Sequence, residues 1–527
     1  MAEATAVVAS TGTLDAFRAV NGGGRRMRVL VTGGSGVVGT GTVTELLARG
    51  HEVVLLSRHA TDDARQWAAG VTPWPGDVAK AASIRGAADG CELVLHMVGI
   101  VEEEGDATFQ AVNVNGTRNI LAETERARVR RFVYVSSLGA PTGASGYHKS
   151  KAAGERLTRE FTGKWVICRP GNVYGPGDEQ ISLLLRMVRA PTPIVPKIGD
   201  GEQPIQPIWW EDCARAIANV VERIDLAGRE LDIAGPEVTS QNDLIARLGA
   251  ITGRATQSVA VPDFVATLGA RLVSLAGLDM HFTDDQVTML REGNVIPRGG
   301  DNALTTILTV EPTSLDVGLR KLADAQPEQL PSKGIGTLKR KRYWADIVGP
   351  HTPESLFTLF RTHFNDVTPV FVDAAAESRT TSHIADGETL TLDLPMRGHV
   401  QVRVVELHAR QVTMLTLQGH PLAGAVRFLC EPRGTAVRFQ VEVYNRASNA
   451  VDLIAMRTLG DRLQNHTWQQ VVQNMIGRSG GHAAAGVEHD AASLDEDAAH
   501  HLEAWMEDLM LRRKREENSE KIEGRET

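Results

Sequence analysis

The stretch "MRVLVTGGSGVVGTGTVTELLARG", residues 27–50, sets the strongest limit on what this chain can fold into. An apolar run is followed at once by a glycine-rich turn and then by a helical pattern that Gly50 closes as a C-cap. A strand, turn and helix so closely joined commit the chain to a parallel sheet with helices against its faces. Gly33, Gly36 and Gly39 punctuate the turn. Glycine there permits the tight bend, the approach of backbone to a pyrophosphate and the packing of helix on strand, while the helix N-terminus offers N–H groups to an anion. A simple tight turn is the plainer alternative. The strand–turn–helix setting favours dinucleotide binding, with Gly33, Ser35, Gly36, Val37, Val38 and Gly39 as contacts.

The same texture continues through "HEVVLLSR", "CELVLHMVG", "RFVYVSS" and "WVICRPGNVYG", apolar strands alternating with helical segments. The pattern predicts a doubly wound α/β domain over residues 27–237. Its second strand ends on Arg58, where a site preferring NAD(H) places an acidic residue for the ribose hydroxyls. Arg58 either meets a 2′-phosphate or is a solvated strand end; the first option makes NADP(H) the preferred cofactor, with NAD(H) as the alternative. Asp77 and Val78 follow the next strand, where a carboxylate can accept from an adenine amino group, and Met97, Val98 and Gly99 end the fourth.

"GYHKSKAAGE" places Tyr147 and Lys151 at i and i+4 on one side of a helix. The pair is either an ordinary exposed helix face or two groups sharing one ligand. Its place after a strand ending "YVSS", in a chain with a dinucleotide turn, favours contact with the cofactor.

The motifs "TGGSGVVG", "GDV", "HMVG", "NVNGTRN", "YVSS", "YHKSK" and "RPGNVYGPGD" occur in the order of the short-chain dehydrogenase/reductase superfamily, and residues 27 to about 178 resemble its extended or atypical branch. The resemblance implies a Rossmann-type fold in which Tyr147 is the general acid/base, Lys151 holds the nicotinamide ribose and lowers the tyrosine pKa, and Pro170, Gly171, Asn172 and Val173 lie against the nicotinamide. It makes Asn113 a structural hydrogen-bonding residue and Ser137 the group that polarises a substrate carbonyl. The extended branch carries that hydroxyl well upstream of the tyrosine, whereas Ser136 and Ser137 stand only eleven and ten positions before it. "PIQPIWWEDCARAI", "TDDQVTMLREGN" and "PTSLDVGLRKLA" are similar to the atypical group that includes the NAD(P)H-binding accessory subunit of respiratory complex I.

Residues 238–330 read as a helical substrate or lid region of the same unit, containing "SQNDLIARLGAITG" and "FVATLGARLVSLAGL", and "PEQLPSKG" reads as a linker. Beyond it the period becomes two: Leu390, Leu392, Leu394; Val400, Val402, Val404; Val426, Phe428, Cys430; Val437, Phe439, Val441, Val443. Such alternation predicts an antiparallel sheet with one buried face. With the long helix "MRTLGDRLQNHTWQQVVQNMIG" it makes residues 340–478 similar to the START-like (SRPBCC), helix-grip superfamily, an α+β domain that implies a hydrophobic ligand. Residues 479–527 read as a flexible link and then a helix with a Ser493–Glu496 capping box, whose stripe Leu502, Trp505, Met506 and Leu509 docks on this chain, on a second subunit or on another protein. Residues 1–26 read as a disordered extension, or as upstream sequence if Met27 is the start.

A formal charge of −9 argues against a general nucleic-acid binder, and "LKRKRYW" reads as a solvated domain entry. Cys91, Cys168, Cys213 and Cys430 lie in apolar segments without metal-ligand spacing, which points to reduced thiols, no metal and a cytoplasmic protein. No signal peptide is evident, and the best candidate for a membrane span, Phe264–Leu278, is interrupted by Arg271. Two functions fit: an NAD(P)-dependent oxidoreductase or epimerase acting on a small hydrophobic carbonyl or alcohol, or a non-catalytic dinucleotide sensor or assembly factor.

Overall fold

A computed structural model describes residues 25–192, 194–261, 285, 288–289, 292–369, 376–377, 384–394, 397–456 and 461–524. Seven strands form one parallel sheet: β1 (Arg28–Thr32), β2 (Glu52–Ser57), β3 (Val71–Pro75), β4 (Leu93–His96), β5 (Arg131–Val135), β6 (Lys164–Pro170) and β7 (Arg229–Ile233). Their order, β7-β6-β5-β4-β1-β2-β3, reverses direction between β1 and β4. Ligands of open α/β sheets bind outside the carboxyl ends of the strands at such a switch point.

The continuous apolar strands are explained by burial on both faces. Val29, Val31, Val53, Leu55, Leu93 and Leu95 face one core, under helices α1 (Val37–Ala48) and, from further along the chain, Trp210–Glu222. Leu30, Val54, Leu56, Val94, Phe132 and Tyr134 face the other, where Ile120 and Leu121 of α2 (Gly116–Arg126) pack. Each fully buried side chain of this size contributes roughly 1.5–3 kcal/mol, so the alternate residues of every central strand hold a different helix layer in place. Helix α3 (Gly146–Arg159) follows β5; α5 is the Trp210–Glu222 helix already placed on the sheet, while α4 (Ile181–Arg189), Gln241–Thr252 and α6 (Leu315–Asp324) pack together in a separate core. Within residues 238–330 a strand, Gln257–Val261, pairs with Ile194–Ile198, so that region is not purely helical; the expected helix "FVATLGARLVSLAGL" lies outside the described residues.

The second sheet is antiparallel: β8 (Ile335–Ile347), β9 (Thr389–Leu394), β10 (Gly398–His408), β11 (Gln411–Thr416), β12 (Leu422–Arg433), β13 (Ala436–Ala447) and β14 (Glu488–Ser493), in the order β9-β10-β11-β12-β13-β8-β14. The alternating residues Leu390, Val402, Val404, Phe428, Cys430, Val437, Phe439, Val441 and Val443 share one core with helices α7 (Pro353–Thr362) and α8 (Asp461–Arg478). Phenylalanines fill the middle of it; Phe360 lies 4.6 Å from Phe428 and 5.2 Å from Phe439, centroid to centroid.

Several local expectations change here. The second sheet begins at Ile335, directly after "PEQLPSKG", and that connecting segment is itself packed, with Gln329 N donating to Thr416 O at 2.7 Å. The segment expected to be a flexible link contributes β14, which satisfies the open edge of β8 from Lys339 to Trp344. Ser493 therefore ends a strand, and Asp495 caps the tail helix α9 (Glu496–Ile522) by accepting from Ala498 N at 2.8 Å. "LKRKRYW" is the interior of β8: Arg342 pairs with Asp490, Lys341 donates to Gln464 and Tyr343 donates to Asn465.

Helix α9 packs against the second sheet. Met506 and Leu509 pack with Val405, Leu415, Ala425 and Tyr444 on the face of the second sheet opposite α7 and α8. At the junction of the two sheets Arg189, at the end of α4, is buried against Glu377 at 2.9 Å and donates to Gln401 and Ala323 O. No helix among the described residues is long and apolar enough to cross a membrane.

Candidate functional site

Apart from Tyr147 and Lys151, which lie on helix α3, the residues expected to touch a dinucleotide stand at or just past the carboxyl ends of strands of the parallel sheet. Gly33 to Gly39 follow β1, Arg58 follows β2, Asp77 and Val78 follow β3, Met97 to Gly99 follow β4, Ser137 follows β5, and Pro170 to Val173 close β6 and leave it. Connections from one side of one sheet bring these distant segments together.

The three glycines of the turn differ in what surrounds them. Gly33 has a φ of +76° and sits so close to Val98 N that a Cβ would approach it to 2.9 Å. Gly39 is tighter: its Cβ would lie 2.1 Å from Gly33 O. Gly36 is open, with nothing nearer to a Cβ than Gly33 O at 3.7 Å, and it heads α1 without a side-chain cap. An exposed Ser35–Gly36 backbone over uncapped helical N–H groups is a cradle for a phosphate. Val37 and Val38 are half-buried behind it. The donor set fits a pyrophosphate.

Arg58 is exposed beyond β2, and the turn after it is held by Ser57 Oγ donating to Asp63. Asp77 accepts from Ala79 N at 3.0 Å, and Val78 is buried. The strip Met97–Ile100 is fixed by Asn113, which accepts from Ile100 N and donates to Ile100 O and Ser150 Oγ; its amide is thereby spent on structure. Behind the strip, His96 bridges Thr32 and Thr117. Thr117 gives its one proton to Asn113 O, so it accepts from His96 Nε2 and leaves Nδ1 to accept from Thr32. Burial pushes the His96 pKa down to about 3, so the ring is neutral.

Tyr147 and Lys151 lie in the first two turns of α3, capped by Ser145 Oγ on His148 N. The Tyr147 ring packs at 6.4 Å from Phe109 and 5.3 Å from His148. Burial raises its pKa, and a hydrogen bond with Ser137 draws it partly back. Ser136, by contrast, turns away and donates to the buried Glu155 at 2.7 Å. Lys151 is 3% exposed; Nζ donates to Val135 O at 2.7 Å, lies 4.7 Å over the Tyr134 ring, and would be 3.1 Å from a Cβ on Gly99. Pro170 O accepts from Leu138 N and Gly171 N donates to Ile233 O, which anchors the strand end beside the serine loop. Asn172 donates to Gln180, its buried Oδ1 has no partner, and Val173 pairs with Ile208.

Burial pushes the Lys151 pKa down to about 7, with Glu155 pulling it back up. The unfolded value is about 10.4, so between the two the unfolded chain binds a proton that the folded one lacks, and stability rises with pH across that window. Below about 7 the unfavourable burial is fully present. Lys151→Met is thus expected to raise Tm at pH 6–7, at roughly 2–4 °C per kcal/mol regained, and to flatten the climb toward pH 10. Calorimetry across that range tests it; a Met variant with the unchanged slope refutes the buried-ammonium account.

Several supporting residues went unread in the sequence. Glu155, one turn beyond Lys151, accepts two hydrogen bonds from Arg169 at 2.7 and 2.6 Å and so clamps α3 to β6. Asp285 accepts from Gly146 N and Tyr147 N, and Glu292 accepts from Ala144 N, Ser145 N and His148 Nδ1. Burial opposes ionisation of Glu292, but these hydrogen bonds outweigh it and hold the carboxyl below its ordinary range. The i, i+4 spacing announced Glu155; nothing local announces Asp285 or Glu292.

Residues 29–234 match the NAD dependent epimerase/dehydratase family. Among curated proteins the chain is 27% identical over 264 residues to mouse "NADH dehydrogenase [ubiquinone] 1 alpha subcomplex subunit 9, mitochondrial", covering 49% of this chain and 64% of that protein. It is 34% identical over 188 residues to a Mycobacterium tuberculosis "3 beta-hydroxysteroid dehydrogenase/Delta 5-->4-isomerase", covering 29% and 48%. It is 35% identical over 184 residues to "Sterol demethylase protein B" of Methylococcus capsulatus, covering 31% and 56%. The chain thus spans from about half to just under two thirds of the length of these relatives. The stretch that matches the epimerase/dehydratase family lies in the parallel-sheet half, and the antiparallel-sheet domain follows it.

Proposed function

We propose that the protein is an NADP(H)-dependent oxidoreductase or epimerase acting on a hydrophobic carbonyl or alcohol. The observation that carries the reading is the convergence of Ser137, Tyr147 and Lys151 on the sheet edge where the Gly33–Gly39 turn opens. Gly36 and the α1 N-terminus hold the pyrophosphate, Lys151 and the Met97–Gly99 strip take the nicotinamide ribose, and Asp77 and Arg58 take the adenosine end. The bound nicotinamide supplies hydride exchange. Tyr147 gives or takes the proton on the substrate oxygen, Ser137 orients that oxygen, and Lys151 in its charged form stabilises the phenolate. Met97, Ile100 and Phe109, half-buried along the same edge, offer apolar contact, and two of the relatives carry steroid or sterol names.

A second reading, a dinucleotide-holding assembly or sensor protein without turnover, is supported by the 264-residue similarity to a respiratory-complex subunit. Titration with NADPH and NADH, followed by turnover assays on apolar ketones, enones and 3β-hydroxysterols, separates the two. Turnover of any of them supports the enzyme; tight dinucleotide binding without turnover across the panel supports the sensor.

The cofactor preference has its own test. NADPH is expected to bind about tenfold more tightly than NADH, and Arg58→Ala to remove that margin, because a charge-assisted contact to the 2′-phosphate contributes about 1.5–3 kcal/mol. Equal or tighter binding of NADH makes Arg58 a solvated strand end.

A further inference from the structure

Helix α9 reaches from the second domain to the adenosine end of the parallel sheet. Its Met506 and Leu509 are sealed against the antiparallel sheet. Its later turns lie on α1 and on the turn Ala60–Trp67, which begins two residues after Arg58. Arg515 Nη1 donates to Arg65 O at 3.2 Å, and Asn518 Nδ2 donates to Gln66 O at 2.9 Å. The other end of the same carboxamide, Asn518 Oδ1, accepts from Thr44 of α1 at 3.2 Å, while Trp67 Nε1 donates to Thr44 Oγ1 at 3.0 Å. Arg65 pairs with Glu507 at 3.1 Å, and Lys521 pairs with Glu211 at 2.7 Å while standing 5.1 Å over the Trp210 ring.

One side chain, Asn518, therefore joins the helix whose N-terminus is the phosphate cradle to the turn that follows Arg58. We propose that α9 is a positioning strap for the adenosine end of the dinucleotide, so that the second domain sets part of the cofactor affinity. This rests on the dinucleotide reading above. The physical reason is preorganisation: a turn already hydrogen-bonded in place loses little conformational freedom when a ligand arrives, whereas a released turn must be ordered at the expense of binding. The exposed ion pair Arg65–Glu507 contributes little by itself. The backbone hydrogen bonds from Arg515 and Asn518 fix the turn.

The test uses the full chain and two fragments of the cofactor. Adenosine 2′,5′-bisphosphate and nicotinamide mononucleotide are titrated into the unsubstituted protein and into the double variant Arg515→Ala/Asn518→Ala. The expected result is a Kd for the bisphosphate weakened by roughly tenfold, within the usual range of coupling between sites, with the Kd for the mononucleotide unchanged. Amide exchange over residues 60–67 is expected to quicken in the variant, and NADPH is expected to slow exchange in residues 505–522 of the unsubstituted chain. Asn518→Ala alone shifts the bisphosphate Kd in the same direction by less. An unchanged bisphosphate Kd in the double variant overturns the strap and leaves the dinucleotide reading standing. Equal weakening of both fragments marks general damage to the domain and overturns it too. Failure of the unsubstituted protein to bind any dinucleotide overturns both.

Discussion

Tyr147→Phe is expected to lower turnover by about 10²–10⁴-fold, the ordinary contribution of a positioned general acid, while leaving dinucleotide affinity within about twofold. The substitution removes one oxygen and keeps the ring, so the packing against Phe109 and His148 survives. Burial holds the phenol above its ordinary pKa even with the Ser137 hydrogen bond drawing it down. At pH 7 the group thus carries its proton, which suits it to protonating the oxygen of a carbonyl under reduction. Ser137→Ala is expected to act in the same direction, because it removes the hydrogen bond that lowers the phenol. Initial rates and fluorescence titrations with each variant check the pair of outcomes. Full turnover by the Phe variant would remove Tyr147 from the chemistry; tight binding without turnover in the native protein would return the Tyr–Lys pair to a purely cofactor-holding role.

The parts of the fold that were legible in the sequence are those in which burial imposes a period. β1, β4 and β5 are covered on both faces and read as unbroken apolar runs; β9 to β13 are packed chiefly on one face and read as alternation. β14 was missed because its residues, "EHDAAS", are half or fully exposed, and an edge strand recruited by the free backbone of β8 needs no apolar pattern. The false capping box at Ser493 has the same origin: serine three residues before glutamate is permissive of a helix start, and the ladder to Lys339 won.

The site divides along the same line. Residues in strand-end motifs were readable because topology delivers each of them to one edge. Ser137 is named from the order of the motifs, and geometry supplies the physical reason it differs from Ser136, since alternate residues leaving β5 point to opposite sides: Ser136 toward Glu155, Ser137 toward Tyr147. Asp285 and Glu292 lie more than 130 residues from the amides they accept. Asn518 is 474 residues from Thr44. Single carboxylates and amides at that separation leave no periodic trace, and only the assembled chain reveals them.

Gly36→Ala and Gly39→Ala separate what the glycine turn does for folding from what it does for binding. A methyl on Gly39 would stand 2.1 Å from Gly33 O and 2.7 Å from Gly34 Cα, both backbone atoms that cannot swing aside. Overpacking of this kind typically costs about 1–3 kcal/mol, so Gly39→Ala is expected to lower Tm and to abolish dinucleotide binding together. Gly36 has a φ of −76°, which alanine adopts freely, and the nearest atom to its methyl lies 3.7 Å away. Its alanine variant is expected to fold and melt like the native protein. Yet that methyl occupies the open face through which a phosphate reaches the α1 N-terminus, so NADPH affinity is expected to fall by roughly 10–100-fold, the size of losing one close charge-assisted hydrogen bond. Thermal melts beside NADPH titrations of both variants decide the matter. If Gly36→Ala binds NADPH as tightly as the native chain, the open face is not where the pyrophosphate rests, and the turn serves only to join strand to helix.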